Sequence, residues 1–277
     1  MMENSIIELQ NVFSGYEKKK RGIPDESRMV VKDISLKITE GHCVSFLGAN
    51  GCGKTTLLRT IAGMLPAYGR IKIDGKDAEK LSRKEIARYI AFLSQMSQVY
   101  FSYSVYETVM HGRYVHGSSF FSDNKENDKE IVEETLETLG LKDIVKKQIT
   151  TLSGGQLQRV MLARCIAQRS PVLILDEPMN HLDMKVQSEF MEYLMEWRKN
   201  PVKLSGGREY KPTMIGVFHD LSTAAYLADD MVLIREGRLL GYGRKEEMLN
   251  ASLLQKTYGF DVAGFLDRFR GELKIED

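Results

Sequence analysis

Three short stretches carry residues whose types and spacing can do chemistry. Gly48-Ala49-Asn50-Gly51-Cys52-Gly53-Lys54-Thr55-Thr56 contains, from Gly48 to Thr55, the spacing G-x-x-x-x-G-K-[ST]. Glycines let the backbone turn its N–H groups onto phosphate oxygens, and a helix starting near Lys54 adds its positive end. Lys54 would then reach the β- and γ-phosphates of a nucleoside triphosphate, and the Thr55 hydroxyl would ligate Mg²⁺. About a hundred residues on, Leu152-Ser153-Gly154-Gly155-Gln156 precedes a helical segment, a second helix start of the kind that receives anions. The third stretch, Val172-Leu173-Ile174-Leu175-Asp176-Glu177, is an apolar run ending in two carboxylates. A carboxylate at a strand end beside phosphates can hold Mg²⁺ through water, and the next can orient and polarise an attacking water. The Asp-Glu pair before Pro178 would by itself read as a surface turn, and the loop as a plain glycine turn. The other motifs, and the apolar Val44 to Leu47 and Leu57-Leu58 around the loop, argue against both.

These groups need strands and helices to bring them together. Ile6 to Val12 alternates as a strand, Val31 to Ile38 gives another, and His42 to Leu47 runs into the glycine loop. Ile71 to Lys76 reads as strand then turn, Ser82 with Glu85 fits a capping box, and Tyr89 to Leu93 reads as the next strand. From about Gln98 to Gln168 the pattern is helical, with Ile131, Leu136, Leu139 and Leu141 near helical spacing. Val172 to Leu175 reads as a buried parallel strand. Met184 to Arg198 reads as an amphipathic helix, Thr213 to Phe218 as a core strand, and Glu236-Gly237 as the turn of a hairpin. Glu17 to Met29, with Gly22 and Pro24, reads as a solvated hairpin insertion; its Lys18-Lys19-Lys20-Arg21 run reads as a solvated charge cluster. Strands alternating with helices predict a mostly parallel α/β core, with an antiparallel edge and a helical insertion over about 97–168.

Bulk properties exclude several classes. The 277 residues carry a net charge of +1, which leaves no electrostatic footprint for nucleic acid, so no nucleic-acid partner is expected. Cys43, Cys52 and Cys165 are too few for a disulfide framework; Cys43 and Cys165 read as buried thiols and Cys52 as a small residue tolerated in the loop. No apolar run approaches the ~20 residues that span a bilayer, and the N-terminus has no basic-then-apolar signal. His42, His111, His116 and His181 are scattered and give no metal-ligand spacing.

Taken in order, the glycine loop, LSGGQ and the Asp-Glu pair resemble the ATPase subunit of ATP-binding cassette (ABC) systems, from about Ile6 to about Phe260. The resemblance implies an α/β fold: a P-loop NTPase (RecA-like) core with an antiparallel β edge subdomain and an inserted helical subdomain, all in one domain over 1–277. It implies ATP and Mg²⁺ as cofactors, with Thr55, Asp176 and Gln95 around the metal and Glu177 polarising the water. Gln95 resembles the Q-loop glutamine and His219 the switch histidine. Tyr16 resembles the aromatic residue that stacks on adenine, with Phe13 as competitor. Ser153, Gly154, Gly155 and Gln156 would face the nucleotide of the opposite subunit, and Asp183 resembles the D-loop aspartate at that interface. Asn180-His181 stand where the family often has Ser-Ala. Leu204-Ser205-Gly206-Gly207-Arg208 repeats four signature letters but lacks the glutamine, and is expected to be a flexible loop without a site.

Long coiled-coil ATPases of chromosome maintenance would need hundreds of residues between loop and signature, and translation-factor cassettes carry two such domains. A transporter ATPase remains. Gly112-Arg113-Tyr114-Val115-His116 resembles a G-R-Y-P-H-like run of iron–siderophore, haem and cobalamin importers, with Val115 replacing proline. The implied partners are a second copy of the chain, closing head to tail around two ATP molecules, a polytopic membrane permease, and indirectly a substrate-binding protein. The implied place is the cytoplasmic side of the membrane. The rival is a soluble cassette that clamps another partner and uses ATP as a timer.

Overall fold

The structure, a computed structural model, describes residues 4–17, 24–94, 102–116, 125–204, 207–218 and 220–272. Along the chain, β1 (Ser5–Ser14) and β2 (Val31–Thr39) are followed by β3 (Cys43–Leu47), α1 (Lys54–Ile61), β4 (Ala67–Ile73), β5 (Lys76–Asp77), α2 (Arg83–Tyr89) and β6 (Ile90–Leu93). Then come α3 (Val105–Met110), α4 (Lys125–Thr138), α5 (Gly154–Ala167), β7 (Val172–Asp176), α6 (Met184–Trp197), β8 (Val202–Lys203), β9 (Glu209–Tyr210) and β10 (Thr213–Val217). The remainder is α7 (Leu221–Leu227), β11 (Asp230–Arg235), β12 (Arg238–Arg244), α8 (Lys245–Met248), α9 (Ala251–Tyr258) and α10 (Val262–Glu272).

Two main sheets form. The larger has the order β12-β11-β3-β10-β7-β6, parallel throughout except for the β11–β12 hairpin. Every residue of β3, β7 and β10 is buried, as befits strands covered on both faces. The period of two then sorts side chains between two cores. Cys43 and Leu47, Leu173 and Leu175, and Met214 join the core that includes α4, α5 and α6; Val44 and Phe46, Val172 and Ile174, and Ile215 and Val217 join the core under α1 and the smaller sheet. Burial of this kind pushes the Cys43 thiol up to about 12 and raises that of Cys165, so neither is a nucleophile.

The smaller sheet, β2-β1-β4-β5, is antiparallel. In β2, Val31, Ile34, Leu36 and Ile38 are buried while Asp33, Ser35 and Lys37 are exposed, the half-buried alternation of an edge layer. A bulge at Asn11, φ +48°, shifts the register of β1 against both neighbours.

Two local expectations are corrected. Tyr89 ends α2 instead of opening β6: its hydroxyl accepts from Lys76 Nζ at 2.9 Å and its ring meets Tyr210 edge-on at 6.3 Å, contacts the strand position would not supply. Of the insertion over Glu17 to Met29, residues 18–23, with the Lys18 to Arg21 run, lie outside the described residues; the described part holds a 3₁₀ turn at Glu26–Arg28, where the Asp25 side chain accepts from Ser27 N–H. The segment of the second Leu-Ser-Gly-Gly run is a pinned hairpin, not a free loop. β8 pairs with β9, Arg208 bonds Asp74 and Glu40, and Tyr210 donates to Asp74 Oδ2 at 2.9 Å. Ser205 and Gly206 themselves lie outside the described residues.

Candidate functional site

The site assembles at the C-terminal ends of the parallel strands, where an open α/β sheet collects its ligand groups. β3 delivers the loop from Gly48 to Gly53, and β7 delivers Asp176 and Glu177 two strand positions away, with β10 between them. At Gly48, φ is +154° and a Cβ would lie 2.3 Å from the Ile234 carbonyl oxygen, so only glycine fits against β11. The turn of the β11–β12 hairpin holds the other side of the loop: Gly237 N–H donates to Cys52 O at 2.9 Å.

α1 starts without a side-chain cap, as does the four-residue α8. α2, α3, α5, α6, α7 and α9 are each capped by a Ser, Asp or Asn side chain; α1 follows Gly53 and has no side-chain cap. Its first N–H groups therefore point to an acceptor from outside the helix. Lys54 Nζ stands over the loop, donating to Gly48 O at 2.7 Å and Ala49 O at 3.0 Å. Thr55 Oγ1 donates to Asp176 Oδ1 at 2.8 Å. Burial pushes the Asp176 carboxyl above the usual carboxylate range, opposed by the Thr55 bond. An open helix start, a lysine and two hard oxygen donors fit a phosphate chain with Mg²⁺.

Glu177 follows Asp176 in a left-handed backbone conformation, φ +51°, with its N–H on Val217 O at 3.0 Å. It lines a cavity of about 450 Å³ with Asn180, His181, Gln187, Phe218 and Asp220. Asn180 Nδ2 donates to Glu177 Oε2 at 2.5 Å. Asp183 caps α6, accepting from Val186 N–H at 2.9 Å.

Tyr16 lies past the end of β1 with its hydroxyl 3.2 Å from Thr56 Oγ1, and its side chain is 62% exposed beside α1. Phe13 is instead a strand residue paired with Tyr68. Ser153 and Gln156 close a reciprocal capping box on α5, Ser153 Oγ accepting at 3.3 Å and Gln156 Oε1 at 3.2 Å. Thus Gln156 is first of all a structural partner of Ser153, while Gly154 has no neighbour within 4 Å of where a Cβ would sit. Gln95 and His219 lie outside the described residues, although β6 ends at Leu93 and β10 at Val217, just before them.

Three contacts escape sequence reading. Gln158, on α5 and nearly buried, donates to Pro178 O at 2.5 Å and so ties the signature helix to the Glu177 turn. Tyr258, at the end of α9, brings its phenol to the Gly48 backbone. Arg113 of the Gly112–His116 run is buried on Asp128 and Ala167 O, both at 2.7 Å; it braces α4 and α5. Only proximity in space, not spacing along the chain, signals these.

The family model for ABC transporters matches residues 31–180, which hold the open loop, the capped α5 and the Asp176-Glu177 end. The chain belongs to the ABC transporter family. It is an ATP-binding, ATP-hydrolysing member of that family. It is 35% identical to the ferric enterobactin transport ATP-binding protein FepC of Escherichia coli over 83% of this chain and 82% of FepC. It is 33% identical to the iron(3+)-hydroxamate import ATP-binding protein FhuC of Bacillus subtilis, over 87% of this chain and 86% of FhuC. Among solved structures, CbiO1 of Clostridium perfringens, part of the ABC transporter complex CbiONQ, superposes with a TM-score of 0.72 at 27% identity over 99% of this chain and all (100%) of CbiO1. A nucleotide-free cassette from another ABC transporter gives a TM-score of 0.73 at 21% identity, over 91% of this chain and 97% of that one, a likeness of fold. The P-loop NTPase α/β fold with its antiparallel edge is that of this ABC ATPase. No helix among its described residues is long and apolar enough to cross a membrane.

Proposed function

We propose that this ABC ATPase energises uptake of a metal chelate, of the iron–siderophore, haem or cobalamin class, through a separate membrane permease. The observation that carries this reading is the identity of 33–35% with FepC and FhuC over more than four fifths of each chain. The chain would sit peripherally on the cytoplasmic face of the membrane, held by the permease. It would work as a head-to-tail dimer and as one domain over 1–277, with the helical insertion of about 97–168 as the moving part.

A surface suited to the permease lies on that insertion. His111 is flanked by Tyr103 and Tyr114, ring centroids 4.7 and 5.0 Å away, and both tyrosines are exposed, at 40% and 60%. Aromatic anchors with a polar handle are typical of protein interfaces.

Within the site, Lys54 and N–H groups of the loop and first turn between Gly51 and Thr56 would hold the phosphates, and Tyr16 would stack on adenine. Thr55, Asp176 and Gln95 would hold Mg²⁺. Held there, the ion would supply positive charge to offset the negative charge developing on the phosphates. Glu177 would orient and polarise the attacking water, and His219 would donate to the γ-phosphate. Ser153 to Gln156 and Asp183 would complete the partner subunit's site. Catalysis is then positioning and electrostatics.

The test is purification of the chain from membranes in mild detergent. A co-purifying polytopic permease whose presence raises ATP hydrolysis, and whose vesicle-reconstituted complex accumulates a ferric or cobalt chelate, supports the proposal. Co-purification with ribosomes or a soluble enzyme instead removes transport.

A further inference from the structure

Asn180 follows Glu177 by three residues, and its amide reaches the Glu177 carboxylate. Nδ2 donates to Glu177 Oε2 at 2.5 Å. The frame that carries Asn180 is held at several points. Glu177 N–H is on Val217 O at 3.0 Å, Gln158 Nε2 on Pro178 O at 2.5 Å, and Gln187 Nε2 on Leu182 O at 3.0 Å. These bonds come from β10, α5 and α6, so the backbone from Glu177 to Leu182 is tied to three elements. What remains loose is the glutamate side chain, whose torsions place the carboxylate in a cavity of about 450 Å³.

We propose that Asn180 is a positioning residue for Glu177, its amide fixing one carboxylate oxygen so that the other is presented to the attacking water. The inference rests on the reading of Glu177 as the water-polarising group. A carboxylate in an open cavity samples several rotamers, and a rigid donor on one oxygen selects among them. Misplacement by about 1 Å in such a geometry costs up to roughly a hundredfold in rate. A donor is required because an ionised carboxylate only accepts. Alanine at this position, with no donor, would leave Oε2 to water.

The experiment is ATP hydrolysis by the full chain, with kcat and KM for ATP measured separately, in Asn180→Ala, Asn180→Asp, Glu177→Gln and the double variant Asn180→Ala/Glu177→Gln. A positioning role predicts that Asn180→Ala lowers kcat roughly tenfold with KM within about twofold. Asn180→Asp keeps the shape but faces an acceptor with an acceptor, and falls below Asn180→Ala. In the Glu177→Gln background Asn180→Ala costs nothing further, because the group it positions is gone. A merely structural asparagine would give Asp equal to or better than Ala, or an equal loss in both backgrounds, and either result overturns the inference. If Glu177→Gln is inactive and Asn180→Ala hydrolyses at the wild-type rate, the positioning role falls and Glu177 stands. If Glu177→Gln itself hydrolyses at the wild-type rate, the reading of Glu177 falls, and this inference with it.

Discussion

Two glycine-rich turns start helices in this protein, and they end in opposite states. At α1 the turn leaves the helix uncapped, with Gly48, Gly51 and Gly53 all at positive φ and Lys54 folded over the loop. At α5 the turn caps itself, Ser153 and Gln156 each satisfying the other's backbone. The first end is a receptor for negative charge from outside the helix. The second has less unmet demand of its own; it is sterically open at Gly154, while Gly155 packs on Val186. On the proposed function the two helix starts would divide the labour: one holding its own subunit's nucleotide, the other covering the partner's. The bond from Gln158 to Pro178 O joins the covering helix to the Glu177 turn.

The strongest way to break this contrast is to spoil the open end. Gly48→Ala places a Cβ 2.3 Å from Ile234 O, against backbone that cannot move aside. ATP affinity should fall at least about a hundredfold by equilibrium binding, the order seen when a preorganised site is displaced by about 1 Å. Near-normal binding would mean that the loop does not hold the phosphates. Next in size, Glu177→Gln should leave ATP binding intact and lower hydrolysis by more than about a hundredfold, trapping a closed dimer visible by size-exclusion chromatography with ATP. A variant that turns over normally removes Glu177 from the mechanism.

Ser153→Ala tests the covering end. Losing the cap should destabilise the chain by about 1 kcal/mol in denaturant unfolding. ATP affinity of the isolated chain should stay unchanged while hydrolysis by the dimer falls. If binding to the isolated chain falls as well, Ser153 acts on its own subunit's nucleotide and the division of labour is wrong.

The smallest effect concerns the far end of α5. His116 Nε2 donates to Gln168 O, the carbonyl of the α5 C-cap, at 2.6 Å. Burial, with Arg113 and Arg88 nearby, lowers the His116 pKa below the ordinary histidine value. The unfolded chain then binds this proton at a higher pH than the folded one. Stability contributed here is full above the unfolded value near 6.5 and is lost as pH falls through it toward the folded one. The melting temperature should drop between pH 7.5 and pH 5.5, and His116→Gln should flatten that drop. An equal drop in the variant assigns the pH dependence to other groups.

Leu-Ser-Gly-Gly occurs twice, and its two fates show what was legible. After Leu152 to Gly155 comes Gln156 with helix-forming residues, and a helix of 14 residues follows. After Leu204 to Gly207 comes Arg208, and the chain runs on as β9, with Arg208 and Tyr210 bonding Asp74 in the β4–β5 turn. The absence of a helix was readable from the letters; the pinning was not, since Asp74 is more than a hundred residues away. Tyr89 taught the same lesson at shorter range, its place in α2 going with contacts to Lys76 and Tyr210.

The amino-acid sequence by itself determined the glycine loop, the apolar strands, the Asp176-Glu177 end and the Ser82–Glu85 capping box. Each depends on residues within a few positions of one another, where backbone conformation and side-chain reach are set locally. Only the tertiary structure decided that Asn180 bonds Glu177, that Gln158 ties α5 to the Glu177 turn, and that Arg113 is a buried brace. These are hydrogen bonds whose partners are chosen by which elements pack together, and packing is a property of the whole chain.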